Sequence, residues 1–285
     1  MATRCLVRAS WQALASQQQR SPHPRQRGYT LVEIMIALLI AIFLLAGLDT
    51  LVAGTRRTST NQTSLAVLQD EERLAMSMLN DVIQTAGYFD SNTYSSAAIA
   101  FPTAATTTGG PSSPGNPSLA VGQVIGGLHA SNAVPDTLVV RYGTTGTASA
   151  NPDSILNCNG GSSTSAASFV NYFFVQAASG SGATATPSQL MCSVNGNTPY
   201  ALVNNVVNVQ VWYGVSVTSG SCNTVGIVCN PDTYMTADLV QAGPYWANVV
   251  SARVTVTFLN PLWLQPGQLQ YANFTRVIAL QSRAI

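Results

Sequence analysis

An almost wholly apolar segment near the amino terminus constrains this 285-residue chain more than any other feature. From Leu31 to Ala53 the sequence contains no proline and only two charged residues, Glu33 and Asp49. The uninterrupted apolar run, Ile34 to Leu48, covers 15 residues. Because about 20 apolar residues span the hydrocarbon core of a bilayer, the segment predicts a helix that enters a membrane but is marginal as a permanent span.

Positive charge is concentrated before that segment. All 12 basic residues are Arg, and five of them precede Gly28 with no acid among them: Arg4, Arg8, Arg20, Arg25 and Arg27. This excess of positive charge favours a cytoplasmic amino end, with the rest of the chain outside. Without the first 28 residues, seven Arg stand against 11 acids, a formal charge of −4. We therefore expect no non-specific binding of nucleic acid.

The composition is that of an exported, folded protein. Hydrophobic residues make up 46% of the chain, which is enough for a core at this length. Charged residues make up only 8%, against roughly a quarter in ordinary soluble proteins. Gly, Ser, Thr, Asn and Ala occupy the positions that charged residues would otherwise fill.

Four of the five cysteines lie in the carboxy-terminal half, whereas Cys5 precedes the apolar segment. An even number in an exported body favours disulfides, and without a CxxC pair or a nearby His the spacing does not favour zinc. Four cysteines permit three pairings. We favour Cys222 with Cys229, because a short Gly-containing loop can close there. Cys158 with Cys192 would bracket a strand.

A processing motif lies directly before the apolar segment. At Gly28-Tyr29-Thr30-Leu31-Val32-Glu33 the sequence resembles the prepilin signature. In that family a dedicated peptidase cuts after Gly, methylates the new amino terminus, and leaves Glu as the fifth mature residue. The resemblance implies cleavage after Gly28, methylation of Tyr29, and an assembly role for Glu33. A cut after the apolar run is disfavoured, because Ala46-Gly47-Leu48 is a poor A-x-A site.

The position of Glu33 has two interpretations. A carboxylate inside an apolar segment costs about 2.5 to 3.5 kcal/mol on insertion scales, so it requires a partner. In the pilin family that partner is the terminal ammonium of a neighbouring subunit, which here would be the nitrogen of Tyr29. Alternatively, Glu33 lies at the headgroup boundary and complements the positive end of the helix dipole.

After Arg57 the pattern becomes amphipathic, with apolar residues at three- and four-residue spacing that predict one buried helical face. The predicted face is Leu68, Ala75, Met78, Leu79, Val82, Ile83 and Ala86. We predict a nearly continuous helix from about Thr30 to Ala86, capped by Gly87, whose second half lies across a sheet. The stretch from Leu79 to Phe89 resembles the helix end of PilW-type minor pilins.

Beyond Tyr94, runs dense in Val, Tyr and Phe alternate with connections rich in Ser, Thr, Gly and Pro, a pattern typical of β-strands. The clearest strands are Asp136 to Tyr142, Phe169 to Gln176, Val206 to Val215, Val249 to Leu259 and Asn273 to Gln281. Alternation predicts sheets with one buried face. The residues predicted on one side of the third and fourth strands are Val207, Val209, Val211, Tyr213 and Val215, and Val250, Ala252, Val254, Val256 and Phe258.

These patterns predict an α+β fold, and the resemblance implies that it is pilin-like. A long amino-terminal helix, hydrophobic in its first half and amphipathic in its second, packs on an antiparallel β-sheet head. The predicted divisions are a leader peptide at 1–28, a transmembrane or filament-core helix at 29–53, its amphipathic continuation at 54–87, and a β-rich head at 88–285. The connections at 104–118 and 143–152 are long for a compact domain.

No catalytic motif is found in the sequence. His129, the one histidine after Gly28, lacks a nearby nucleophile motif, and no nucleophile elbow, zinc-protease motif or phosphate loop occurs. Asp232 and Asp238 could offer oxygen ligands to a calcium ion, but their spacing lacks the alternating acids of a loop that binds calcium tightly. Trp246, Trp263, Tyr245 and Tyr271 could form a sugar- or protein-binding face, although aromatics beside strands more often pack in the core.

The sequence therefore predicts a non-enzymatic minor pilin with no cofactor. The resemblance implies type IV pilus assembly or its initiation, and thereby twitching motility, adhesion or DNA uptake. Implied partners are other minor pilins, the major pilin, the prepilin peptidase and the inner membrane. Before assembly the chain would be single-pass, with its head in the periplasm, and afterwards part of the cell-surface pilus. The alternatives are a minor pseudopilin of a type II secretion system and a secreted hydrolase with an uncleaved anchor.

Overall fold

The computed structural model describes most of the chain after the arginine-rich leader. The described residues are 28–90, 94–102, 105–106, 117–144, 155–162, 168–181, 185–218, 222 and 229–281. Cys5, the five leader arginines and most of the two long predicted connections lie outside these ranges. The chain divides into two compact units, one ending at Arg57 and one beginning at Thr58.

The long predicted helix is present as α1, Leu31–Gln84, with 54 residues. It contains no proline, and the first proline beyond it is Pro102, so nothing in the sequence interrupts its hydrogen bonds. Three residues past its end, Gly87 has a φ of +76°, the left-handed conformation common at helix C-termini. Its N–H donates to the carbonyl of Arg141 at 2.9 Å, which ties the helix end to a strand of the head.

The buried face of the helical part after Thr58 differs from the prediction at one position. Six of the seven predicted residues are buried, but Met78 is only half-buried and Met76 is 1% exposed instead. At about 100° per residue, Met76 and Met78 lie on opposite sides of this face, each roughly 80° from its centre. Spacing therefore does not distinguish them, and in the structure the main core contains Met76.

Within the described residues, eleven strands form three antiparallel sheets. The strands are β1 Ala105–Thr106, β2 Ser118–Leu119, β3 Ile125–Leu128, β4 Thr137–Gly143, β5 Ser168–Gln176, β6 Gln189–Val194, β7 Tyr200–Asn204, β8 Val206–Val215, β9 Thr233–Met235, β10 Val249–Leu259 and β11 Tyr271–Ala279. A four-stranded sheet has the order β11-β10-β8-β9, a five-stranded sheet has the order β3-β4-β5-β6-β7, and β1 pairs with β2. The short helices are α2 Ala97–Ala100, α3 Ala237–Ala242 and a 3-10 turn at Tyr245–Asn248.

One core joins the helix and both larger sheets. It contains the buried face of α1, the inner side of the four-stranded sheet, and one side of β4, β5 and β6. The other side of β5 is also buried, since Val170, Tyr172 and Phe174 form a second cluster with Leu119 of β2. The expectation of one buried face therefore fails for the five-stranded sheet, whose central strands are apolar almost throughout.

Two β-bulges change which residues of β8 and β10 point inward. Register shifts occur at Val207 and at Val250, so each of these residues leaves the alternating pattern. Val206 and Val249 lie in the main core in their place. Val250 packs instead against Cys222 and Cys229. The other predicted inward residues of these two strands are buried as expected.

The structure contains the two disulfides that the sequence favoured. Cys158 is bonded to Cys192, with 6.4 Å between their Cα atoms, and Cys222 to Cys229, with 5.8 Å. Cys192 lies on β6, which pairs with β5. Both cysteines of the first bond lie in the main core.

Candidate functional site

The amino-terminal residues of the described chain form a short extended entry to α1. Gly28, Tyr29 and Thr30 have no regular structure, and the Tyr29 side chain is 76% exposed. In the first helical turn the N–H of Glu33 donates to Thr30 Oγ1 at 3.3 Å and to the Thr30 carbonyl at 3.1 Å. Thr30 therefore acts as the helix N-cap. The Thr-x-x-Glu spacing predicts this capping role, which our reading of the sequence missed.

The predicted cleavage position is sterically open. A Cβ atom added at Gly28 meets no other heavy atom within 4 Å. A larger residue at this position therefore causes no clash in the fold. Any requirement for glycine at position 28 must arise from something that binds the chain there.

The first part of α1 presents a continuous apolar surface. Every residue from Leu31 to Thr60 is exposed, and Phe43 reaches 86%. By length and composition this helix is apolar enough to cross a membrane. A surface of this size requires a bilayer or other apolar helices to cover it, because monomeric proteins rarely expose large apolar patches.

Glu33 is one of two acids in that apolar surface, with Asp49. Its carboxylate forms no ion pair within the part of the chain that the structure describes. Once the surface is covered, an unpaired carboxylate would carry the insertion cost given above. The arrangement thus combines a large apolar face with an acidic group that has no ion-pair partner among the described residues.

Comparison with protein families gives two matches. The prokaryotic N-terminal methylation motif matches residues 23–48, and a family described as type IV pilus-assembly protein W matches residues 171–262. Together these matches support a type IV pilin-like protein of the PilW type. No curated protein and no solved structure matches the chain.

The two matches fall on different parts of the PilW-type protein. The methylation-motif match includes Gly28, Tyr29 and Glu33. The PilW match begins within β5 and ends just after β10, so it covers the centre of both larger sheets. It does not include Leu79 to Phe89, the stretch that carried the resemblance in the sequence. The family assignment therefore depends on the head and the amino terminus.

The other candidate residues of the sequence have separate environments. His129 Nδ1 lies 2.7 Å from Asp136 Oδ1. Asp232 accepts hydrogen bonds from the backbone N–H groups of Val217 and Thr218. Within the described residues, no three His, Cys, Asp or Glu side chains form a group that could hold a metal.

The four aromatic residues do not form a common face. Trp246 and Tyr245 lie together in the 3-10 turn, and Trp246 lines cavities beside α3. Trp263 lines a different cavity, between α1 and the turn after β10. Tyr271 begins β11. One of the Trp246 cavities is also lined by His129, Asp238 and Gln241.

Proposed function

We propose that this PilW-type protein is a non-catalytic minor pilin that helps to start type IV pilus assembly. The two family matches support a minor pilin of type IV pilus assembly, and pilin-family domains are structural subunits. Roles in twitching motility, adhesion or DNA uptake would follow from that assembly step. Neither match favours a pseudopilin of a secretion system.

The motif and the apolar helix indicate a membrane-anchored pilus component. In the proposed pathway the first half of α1 holds the precursor in the inner membrane as a single span, with the head in the periplasm. The prepilin peptidase cuts after Gly28, and the nitrogen of Tyr29 is methylated. The open surroundings of Gly28 and the exposure of Tyr29 support access by an enzyme.

The exposed apolar surface of α1, with an unpaired Glu33 near its start, carries the assembly proposal. In a fibre, neighbouring minor and major pilins cover this surface, and burial of apolar area supplies most of the association energy. Glu33 then pairs with the ammonium of Tyr29 from another subunit. In a medium of low dielectric constant this attraction fixes the axial register of the packed helices.

The second acid of the same helix provides a matched control. Glu33→Ala removes the proposed pairing group, whereas Asp49→Ala removes a comparable charge from the same apolar segment. We expect Glu33→Ala to abolish incorporation into sheared pili, and Asp49→Ala to be incorporated nearly as well as wild type. Immunoblots of sheared fibres and membranes measure both fractions. Normal incorporation of Glu33→Ala would reject the pairing role.

Processing is tested separately at Gly28. Since a side chain at this position clashes with nothing in the fold, Gly28→Leu should leave the head folded and block cleavage. Gly47→Leu is the control, because Gly47 has equally open surroundings. A Gly28→Leu chain that is still trimmed at the same bond would contradict the proposed cut.

A further inference from the structure

Two neighbouring cavities of the head share part of their walls. One has a volume of about 350 Å³ and the other about 480 Å³. Both are lined by Ser118, Gln123, Gln241 and Trp246. We call these two cavities together the Trp246 groove. Each volume lies within the range of small-molecule sites, about 300–1,000 Å³.

The aromatic wall of the groove is held in place. Trp246 is half-buried and packs edge-to-face on Tyr213, with 5.0 Å between ring centroids and 81° between planes. Its indole N–H donates to Gln241 Oε1 at 2.7 Å. A ligand that packs against this ring therefore meets a pre-organised surface and orders little of the protein.

Polar groups with both donor and acceptor capacity surround that ring. Asp238 is exposed, and a hydrogen bond from Thr236 lowers the pKa of its carboxyl, so it is a charged acceptor at neutral pH. Because Gln241 uses its oxygen for Trp246, its amide nitrogen remains a donor. His129 is hydrogen-bonded to Asp136 through Nδ1, so its Nε2 atom is available to a ligand. Ser118 adds a hydroxyl.

This combination fits sugar hydroxyls, which donate and accept at the same time. A site for a cation would instead require mainly acceptors. The buried carboxylate of Asp136 already forms hydrogen bonds with the Val211 N–H and with His129, so it is not available to a cation. A sugar ring also has an apolar C–H face that packs on an indole.

We propose that the Trp246 groove binds a neutral carbohydrate of one or two sugar units. Trp246 contacts the C–H face of one ring. Asp238, Gln241 and His129 hydrogen-bond its hydroxyl groups. Binding depends on the folded head and does not require the chain to be in a fibre, so its failure is distinguishable from a failure of pilus assembly.

The test is saturation-transfer NMR on the full chain in a zwitterionic detergent without a sugar headgroup. The probes are glucose, galactose, N-acetylglucosamine, maltose and lactose at about 10 mM, which fills most sites with a Kd near 1 mM. We expect transfer to at least one probe. Trp246→Ala should abolish it, and Asp238→Ala should weaken it about tenfold or more, since a hydrogen bond to a charged group is lost.

Trp263→Ala is the matched control, because Trp263 lines the separate cavity beside α1. This variant should keep the wild-type signal. Asp238 is exposed, so its variant keeps the test valid if Trp246→Ala misfolds. The proposal is overturned if no probe shows transfer, if transfer persists undiminished in Asp238→Ala, or if free arginine binds at this groove while every sugar fails.

Discussion

Asp136 joins the two larger sheets through Val211. Asp136 Oδ2 accepts the backbone N–H of Val211 at 2.8 Å, and the N–H of Asp136 donates to the Val209 carbonyl at 2.7 Å. β9 pairs with β8 only from Tyr213 to Val215, so β9 does not pair with β8 at Val209 or Val211. Asp136, which directly precedes β4, thus satisfies the part of the β8 edge that β9 leaves open.

Removal of this carboxylate should weaken the head. Asp136→Ala leaves the N–H of the fully buried Val211 without its acceptor, which costs about 1–3 kcal/mol of unfolding free energy. Asp136→Asn keeps an oxygen acceptor for Val211 and should lose clearly less. Denaturant unfolding followed by tryptophan fluorescence measures both. Equal losses in the two variants would show that the hydrogen bond to Val211 is not what stabilises this junction.

Asp136 should also give the head a specific pH dependence. Burial raises the pKa of Asp136 above its ordinary 3.8, and hydrogen bonds from Val211 and His129 offset part of this rise. The folded chain therefore binds more protons than the unfolded chain between the two pKa values. Hence the contribution of Asp136 to the unfolding free energy is fully present below pH 3.8. It is lost as the pH rises through the pKa that Asp136 has in the folded chain.

The difference between wild type and Asp136→Asn reports the titration of Asp136 together with any change at His129, which lies 2.7 Å from it, because the remaining titrating groups are common to both. We expect the unfolding free energy of wild type relative to Asp136→Asn to fall from about pH 4 towards neutrality. Denaturant melts at several pH values provide the measurement. A difference that grows with pH would mean that the folded state stabilises the charged carboxylate.

Two methionines test the buried face of α1. Met76→Ala removes a side chain that is 1% exposed and should cost about 2–5 kcal/mol. Met78→Ala removes the half-buried neighbour that spacing alone placed on the same face, and should cost much less. The two changes are chemically identical, so their denaturation midpoints compare directly. A larger loss for Met78→Ala would contradict the helix orientation described above.

The two disulfides should differ in their contributions. The Cys158–Cys192 bond closes a separation of 34 residues and Cys222–Cys229 one of 7. Loop-closure entropy then predicts about 4 kcal/mol for the first and about 2 kcal/mol for the second. Replacement of both cysteines of one pair by Ser, followed by denaturant unfolding, measures each bond, and non-reducing peptide mapping establishes the pairs. A greater loss from the short loop would contradict this order.

The sequence predicted the elements whose patterns are long and regular. The helix of 54 residues and β8 and β10 with their alternating valines were all visible. Alternation failed at Val207 and Val250, because a bulge moves one residue out of the pattern without changing the composition. No local signal at either valine distinguishes it from its neighbours.

Short elements were missed for a different reason. β3, β6, β7 and β9 have three to six residues, and Ile125–Leu128 contains two glycines. Their pairing is set by neighbours that are distant in the chain, such as β5 for β6. Likewise, a local motif was enough to identify Gly28 and Glu33 as candidate residues. The hydrogen bond between Asp136 and Val211 joins residues 75 positions apart, so no local pattern predicts it.

The mass of the chain's amino terminus in isolated pili tests the central claim most directly. Fragment spectra of the protein from sheared fibres should show a chain that begins at N-methylated Tyr29, with residues 1–28 absent. A fibre-associated chain that keeps those residues would contradict the account, and so would a trimmed chain found only in the membrane.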